Sequence, residues 1–187
     1  MWTARAAVLR QAGAPMTIET IDVGPLAAGD VLVRIRAASL CHTDLDIIGA
    51  GSGTFALPLT LGHEISGTVA GLGDAVTDWA VGDAGLVYLA WACLECRQCR
   101  SGRENLCQQA GRVFPPTTPG IGLDGGMAEF VRIPARYLLP LGDLDPVLAA
   151  PLADAGLTPQ GAARHKSSSD WLLPKGDSSD SADGGRE

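Results

Sequence analysis

The sequence has no surplus of positive charge, no long apolar run and no internal repeat. Fourteen lysines and arginines face 21 acids, giving a formal net charge of −7 and a pI near 4.8. That balance argues against a nucleic-acid partner, because binding a phosphate backbone needs a basic face. No stretch approaches the ~18–20 apolar residues of a membrane span, so no membrane partner is expected. The opening Met1-Trp2-Thr3-Ala4-Arg5 is too short and too mixed for a signal peptide. Without a leader, the five cysteines read as thiols of a cytoplasmic protein, better suited to hold metal than to form disulfides. What remains is a chain of 187 residues, 46% of them hydrophobic, enough for one sizeable domain with a real core and a small-molecule partner.

The first half reads as short strands. Ala4–Leu9, Met16–Asp22 and Asp30–Ala38 are apolar or β-branched, separated by Gly13-Ala14-Pro15, Gly24-Pro25 and Ala28-Gly29. A short helix is predicted over Thr43–Ile48, stopped by Gly49 at a Gly/Ser-rich loop that runs to Gly53. Glu64–Leu72 alternates, Gly82-Asp83 turns into Ala84–Leu89, and strand character returns at Met127–Ile133 and Tyr137–Leu141. Strands this short, with turn signals this regular, predict a mainly β barrel or sandwich core with short helices. Leu148–Ala163 is Ala-, Leu- and Gly-rich and predicts a helix with an irregular start at Pro151. From residue 164 to 187 the chain is Ser-, Asp- and Gly-rich, too poor in apolar surface to offset its ordering entropy, and a disordered tail is expected.

A cysteine-dense loop interrupts the strands. Cys93, Cys96, Cys99 and Cys107 are spaced C-x2-C-x2-C-x7-C. Tight CxxC turns aim neighbouring sulfurs at one centre, and a further loop supplies the fourth corner of a tetrahedron, so a structural zinc ion is expected in a lobe spanning 91–112. Arg97, Arg100 and Arg103 would soften the −2 charge of four thiolates on Zn²⁺. Disulfides fit the expected compartment badly. A ferredoxin-type iron–sulfur run would need a shorter last gap and a proline after the fourth cysteine, where Gln108 stands.

Cys41 is left over, inside Cys41-His42-Thr43-Asp44 at the end of the strand that contains Val31-Leu32-Val33-Arg34-Ile35. Alone, the tetrapeptide reads equally well as a buried thiol beside a polar turn or as reactive groups delivered by a strand. Gly62-His63-Glu64 adds an imidazole just before another strand. A catalytic zinc needs a third protein ligand and an open position. Among later acids, spacing does not choose Asp154 over Asp143 or Asp145.

Taken in order, Cys41-His42-Thr43-Asp44, Gly62-His63-Glu64, the four-cysteine lobe, Asp124-Gly125-Gly126-Met127-Ala128-Glu129 and Pro151-Leu152-Ala153-Asp154-Ala155-Gly156-Leu157-Thr158 resemble the zinc-dependent medium-chain alcohol dehydrogenases, most of all the bacterial NAD-dependent secondary-alcohol enzymes. The resemblance implies a GroES-like, partly open β-barrel catalytic domain over residues 1–163, with two zinc ions per chain. It places a catalytic zinc on Cys41, His63 and Asp154, with Glu64 next to the metal. Asp in place of a commoner Cys keeps the ligand charge and gives a harder bond. Zinc would act as a Lewis acid on a bound alcohol, Thr43 would relay its proton, Asp44 would hydrogen-bond the second nitrogen of His63, and His42 with Thr43 would approach NAD(P). Trp91 and Ile48 become candidate walls of a pocket for an alcohol or ketone, and homo-oligomers are implied by the relatives.

Hydride transfer also needs a doubly wound domain for the nicotinamide, and none is recognisable. Gly120-Ile121-Gly122-Leu123-Asp124-Gly125 fits G-x-G-x-x-G, with Asp145 about 20 residues on. The context refuses it: Pro115-Pro116-Thr117-Thr118-Pro119 precedes where a strand is required, and Phe130-Val131-Arg132-Ile133 follows where a helix is required. The expectation is therefore a truncated or frame-altered chain without the Rossmann domain, inactive or weakly active alone. The alternative is a zinc-binding module without turnover.

Overall fold

Val31-Leu32-Val33 explains much of the architecture: all three side chains are buried, so this strand is covered on both faces. In a computed structural model, which describes residues 2–49, 55–109 and 118–157, it lies in β3 (Asp30–Ser39). The other strands are β1 (Trp2–Leu9), β2 (Thr17–Gly24), β4 (Leu59–Thr60), β5 (Glu64–Leu72), β6 (Ala84–Val87), β7 (Phe130–Pro134) and β8 (Leu138–Pro140). They form a sheet ordered β2-β1-β4 and a larger one ordered β7-β3-β5-β6-β8. Every named pairing is antiparallel. The sheets are stitched where Ala6 bridges Ala128, with Ala7 N donating to Met127 O at 2.8 Å and Glu129 N to Arg5 O at 3.0 Å. The result is the mostly β fold with few short helices that the strand pattern implies.

Two apolar clusters fill it. Val31, Val33, Ile65, Val69, Val87, Val131, Ile133 and Leu138 pack inside the larger sheet. Leu9, Ile47, Leu59 and Leu61 pack beneath α1 (His42–Gly49), joining that helix to the smaller sheet. Each such side chain contributes roughly 1.5–3 kcal/mol when fully buried.

The expected strands are present, with ends shifted by up to three residues. Corrections fall on the irregular parts. The cysteine lobe contains one turn of α-helix, α2 (Arg97–Arg100), and a 3-10 turn at Glu104–Leu106. The helix predicted over Leu148–Ala163 is, as far as it is described, one turn of α-helix, α3 (Pro146–Ala149), followed by a 3-10 turn at Ala150–Ala153. α3 begins earlier than predicted because the Asp145 carboxylate caps it, accepting from Val147 N at 2.8 Å, with Pro146 in the first turn. Pro151 lacks the N–H that would continue the α-helix, so the chain tightens there. Asp154 therefore ends a helical turn instead of starting one. The expected tail, its boundary near residue 164 and residues 50–54 of the Gly/Ser-rich loop lie outside the described residues. No helix among the described residues is long and apolar enough to cross a membrane.

Candidate metal centres

Register places the first pair of site residues. β3 runs antiparallel to β5 with Ser39 opposite Glu64, so Cys41 just beyond one strand and His63 just before the other emerge at the same end of the sheet. A register shift between Ile35 and Ala37 twists that end of β3. The 3-10 turn Ala150–Ala153 packs Ala149 and Ala153 against Leu86 and Leu141, and delivers Asp154 to the same end.

One donor atom each from Cys41, His63 and Asp154 lies within 4.8 Å of the others. Asp154 Oδ2 is 3.8 Å from Cys41 Sγ and 3.5 Å from His63 Nε2. Metal–ligand bonds of ~2.0–2.3 Å put the corners of a tetrahedron roughly 3.4–3.8 Å apart, so the three atoms fit one zinc-sized ion, and among the described residues no fourth donor joins their cluster. His63 is 1% exposed, and its Nδ1 is buried without a hydrogen-bond partner among the described residues.

Asp44 stands beside its expected partner, His63, and also does a second job. Its Oδ1 is 3.6 Å from His63 Nδ1, close enough for charge attraction but too long for a hydrogen bond. The carboxylate is fully buried and instead accepts from Cys41 N at 2.9 Å and from Gly62 N at 3.2 Å. It thus ties the cysteine turn to the histidine turn. Burial pushes the Asp44 carboxyl up, but His63 and the two backbone donors prevail and hold it below its usual value. The Asp44 carboxylate in turn raises the His63 imidazole to about 9, against the downward pull of burial and with help from Cys41. A buried imidazole between two carboxylates and a thiol is a donor set that a divalent cation can satisfy.

The remaining expected residues are placed unevenly. Thr43 Oγ1 lies 3.9 Å from Cys41 Sγ, and His42 is exposed as the first residue of α1. Glu64 is buried but is not part of the three-atom cluster; its Oε1 accepts from Ala155 N at 3.4 Å, bracing the turn that carries Asp154. Ile48 packs on the cluster of Leu9, Ile47, Leu59 and Leu61. Trp91 stacks on Tyr137 with ring centroids 5.2 Å apart, and lines a cavity of about 330 Å³ with Leu123, Asp124 and Phe130. In the sequence, part of the segment beside Gly62 stands only as a family motif with no role assigned; in the fold, Gly120, Gly125 and Asp124 touch the histidine turn. Its glycine spacing is the available signal, but that spacing imitates a nucleotide fingerprint. β7 follows it where the fingerprint needs a helix.

The four-cysteine lobe is built differently. Cys93, Cys96, Cys99 and Cys107 bring their sulfurs within 4.8 Å of one another, with Cys96–Cys99 at 3.4 Å and Cys93–Cys99 at 3.9 Å. Those separations exceed the ~2.05 Å of a disulfide and match edges of a tetrahedral site. Backbone N–H groups meet the sulfurs: Cys93 N donates to Cys107 Sγ and Cys96 N to Cys93 Sγ, both at 3.3 Å. Burial pushes the Cys99 thiol up to about 12, while the Gln108 and Cys99 backbone donors draw Cys96 down. The lobe joins the rest of the fold through Ala92, whose N donates to Tyr137 Oη at 2.9 Å and whose carbonyl accepts from it at 2.7 Å.

Comparison with known proteins identifies the setting of these clusters. A family model described as alcohol dehydrogenase GroES-like domain matches residues 27–143. The chain is 38% identical over 168 residues to D-arabinose 1-dehydrogenase (NADP(+)) of Saccharolobus solfataricus, covering 88% of this chain and 46% of the relative. It is 38% identical over 160 residues to an alcohol dehydrogenase of Geobacillus stearothermophilus, covering 82% of this chain and 45% of the relative. A cobalt- and zinc-bound thermostable alcohol dehydrogenase from Pyrobaculum aerophilum superposes with a TM-score of 0.75 at 28% identity, covering 87% of this chain and 48% of that one. The chain thus spans about half the length of the relatives it matches.

Proposed function

This chain belongs to the alcohol dehydrogenase GroES-like domain family, and on that premise we propose that it carries the zinc half of an NAD(P)-dependent alcohol dehydrogenase. The reaction is oxidation of a primary or secondary alcohol to an aldehyde or ketone. The observation that carries this reading is the convergence of Cys41, His63 and Asp154 from three separate elements on one point. Cys41 Sγ, His63 Nε2 and Asp154 Oδ2 would hold the catalytic zinc, and the four-cysteine lobe a structural one. Zinc in such a site supplies Lewis acidity toward the alcohol oxygen.

The protein's own groups do the rest. Thr43 Oγ1, within 4 Å of the Cys41 sulfur, would relay the proton that the alcohol gives up, accepting it while passing its own hydroxyl proton onward toward the cofactor side. Asp44 fixes the two ligand turns relative to each other, and Glu64 fixes the Asp154 turn. His42, exposed at the head of α1, would approach the nicotinamide dinucleotide when it is bound. Every named strand pairing in the described residues is antiparallel, so the dinucleotide cleft belongs to polypeptide outside them.

Zinc content and turnover test the reading together. The purified chain is expected to hold about two zinc ions, and His63→Ala about one. Alcohol-dependent reduction of NAD(P) is expected only when a dinucleotide-binding domain is supplied, covalently or in trans. Wild-type zinc content in His63→Ala would refute the assignment of the centre. Undiminished turnover after Thr43→Val would refute the proton route.

A further inference from the structure

The loop Gly120–Met127 touches the histidine turn at every residue from Thr60 to His63. Asp124 Oδ1 accepts from Thr60 N at 2.8 Å, and Gly125 N returns a bond to Thr60 O at 2.8 Å. Met127 N donates to Leu61 O at 2.9 Å and Gly126 N to Gly62 O at 2.7 Å. Gly120 adopts φ +76, and a Cβ there would lie 2.4 Å from Gly62 C, 2.5 Å from Gly62 O and 2.8 Å from His63 N. A Cβ on Gly125 would lie 2.3 Å from Gly62 O and 2.4 Å from Gly120 Cα. All of these neighbours are backbone atoms, which cannot swing aside as a side chain can. Gly62 itself sits at φ +91, a conformation that L side chains rarely adopt. The turn before His63 is therefore clamped by hydrogen bonds from one side and by contact of glycine on glycine from the other.

We infer that Gly120–Met127 is a template that sets where the His63 imidazole stands, with Gly120 and Asp124 as positioning residues of the Cys41–His63–Asp154 centre. The inference rests on reading that cluster as a metal centre. It accounts for Gly120 and Gly125 without any nucleotide. The His63 backbone is fixed by packing before any ion arrives, so ligand geometry does not have to be assembled at the moment of binding. A methyl group on Gly120 would push the Gly62–His63 peptide away and move the imidazole off the point shared with Cys41 and Asp154. Loss of the Asp124 carboxylate would free Thr60 N and loosen the same turn.

Cobalt titration of the full chain tests this, because Co²⁺ bound to four thiolates and Co²⁺ bound to one thiolate, an imidazole and a carboxylate absorb differently. Gly120→Ala and Asp124→Ala are each expected to weaken Co²⁺ at the His63 centre tenfold or more and to leave the four-cysteine signal unchanged. Asp124→Asn keeps one oxygen for Thr60 N and is expected to restore affinity. Wild-type cobalt affinity in both Gly120→Ala and Asp124→Ala would overturn the inference. If Gly120→Ala loses the four-cysteine signal it has misfolded, and the Asp124→Ala/Asp124→Asn pair decides. If even the wild-type chain binds no Co²⁺ at the His63 centre, the metal reading fails instead. The His63 ring nitrogen resonances of the metal-free chain then decide: displacement in Asp124→Ala but not in Asp124→Asn upholds the template, and no displacement in either alanine variant overturns it.

Discussion

The two clusters of metal-ligating side chains are held together by opposite means. In the lobe, the ligands are the core: Cys99 and Cys107 are buried with Ala92, and Cys93 and Cys96 pack against them, with no larger apolar residue in the cluster among the described residues. At the other centre, Cys41 and Asp154 are 113 residues apart in sequence, and the packed sheets bring them to 3.8 Å. There the β3–β5 ladder, the buried Asp44 and the packed turn Ala150–Ala153 position the donors. One cluster needs an ion to exist as a fold, and the other is a fold that offers an ion a place. Metal ought therefore to govern the structure of the lobe and only the chemistry of the other centre.

Chelation gives the largest expected effect. Structural zinc contributes on the order of 10–16 kcal/mol to the folding of small metal-organised units. Stripping metal, or replacing Cys99 with Ser, should expose the lobe's backbone amides to exchange. The N–H groups of Arg100, Gly102, Arg103 and Cys107, hydrogen-bonded within the lobe at 2.9–3.0 Å, are expected to exchange orders of magnitude faster. Amides of the β3–β5 ladder should stay protected. Equal acceleration in both regions would break the distinction.

The same contrast explains what the sequence discloses. Local features are legible because spacing alone encodes them: four cysteines within fifteen positions announce a tetrahedral site, and alternation within Glu64–Leu72 announces β5 with its ends correct. Asp154 is singled out only by family resemblance, since Asp143 and Asp145 are as well spaced. Its selection depends on Pro151 breaking a helix and on Ala153 packing beside Ala149, both consequences of tertiary structure. The role of Asp44 is only partly legible for a related reason. Motif logic pairs a carboxylate with the imidazole, but only the folded chain shows its oxygens spent on the N–H groups of Cys41 and Gly62. Gly120 and Gly125 are the hardest to read, because close backbone approach leaves no pattern other than glycine itself.

Asp44 is the next strongest lever, and it acts on the fold-held centre alone. Asp44→Ala strands two buried backbone donors and should cost about 2–4 kcal/mol, read as a lower urea midpoint. Asp44→Asn recovers only part of this, because its amide offers one acceptor where two oxygens are used. Full recovery by Asn would mean that only one of the two bonds matters.

Asp154→Asn should do the reverse of chelating the lobe. The Asp154 side chain is 28% exposed, so the change is expected to move stability by less than ~1 kcal/mol while removing one of two bound zinc ions. A stability loss as large as that of Asp44→Ala would show that the centre, like the lobe, depends on its ligands for structure.

Acid offers the finest separation, with a surface pair as reference. Arg10 beside β1 holds Glu19 of β2 through two contacts, Nε to Oε1 at 2.7 Å and Nη2 to Oε2 at 2.5 Å. Arg10, aided by Thr17, lowers the Glu19 carboxyl from 4.5 to about 2. A depressed carboxylate stabilises the fold above its unfolded value, so this contribution is complete above 4.5 and is lost as pH falls from there through about 2. Metal sites respond earlier, because protons compete with the ion for thiolate and imidazole. Lowering the pH from 7 to 4 should therefore release zinc and loosen the lobe while β1 and β2 keep their protection. Glu19→Gln, in an exposed pair, should change the unfolding midpoint only slightly at pH 7 and not at all near pH 2. If β1 and β2 lost protection together with zinc release near pH 5, the sheets would depend on the metals after all.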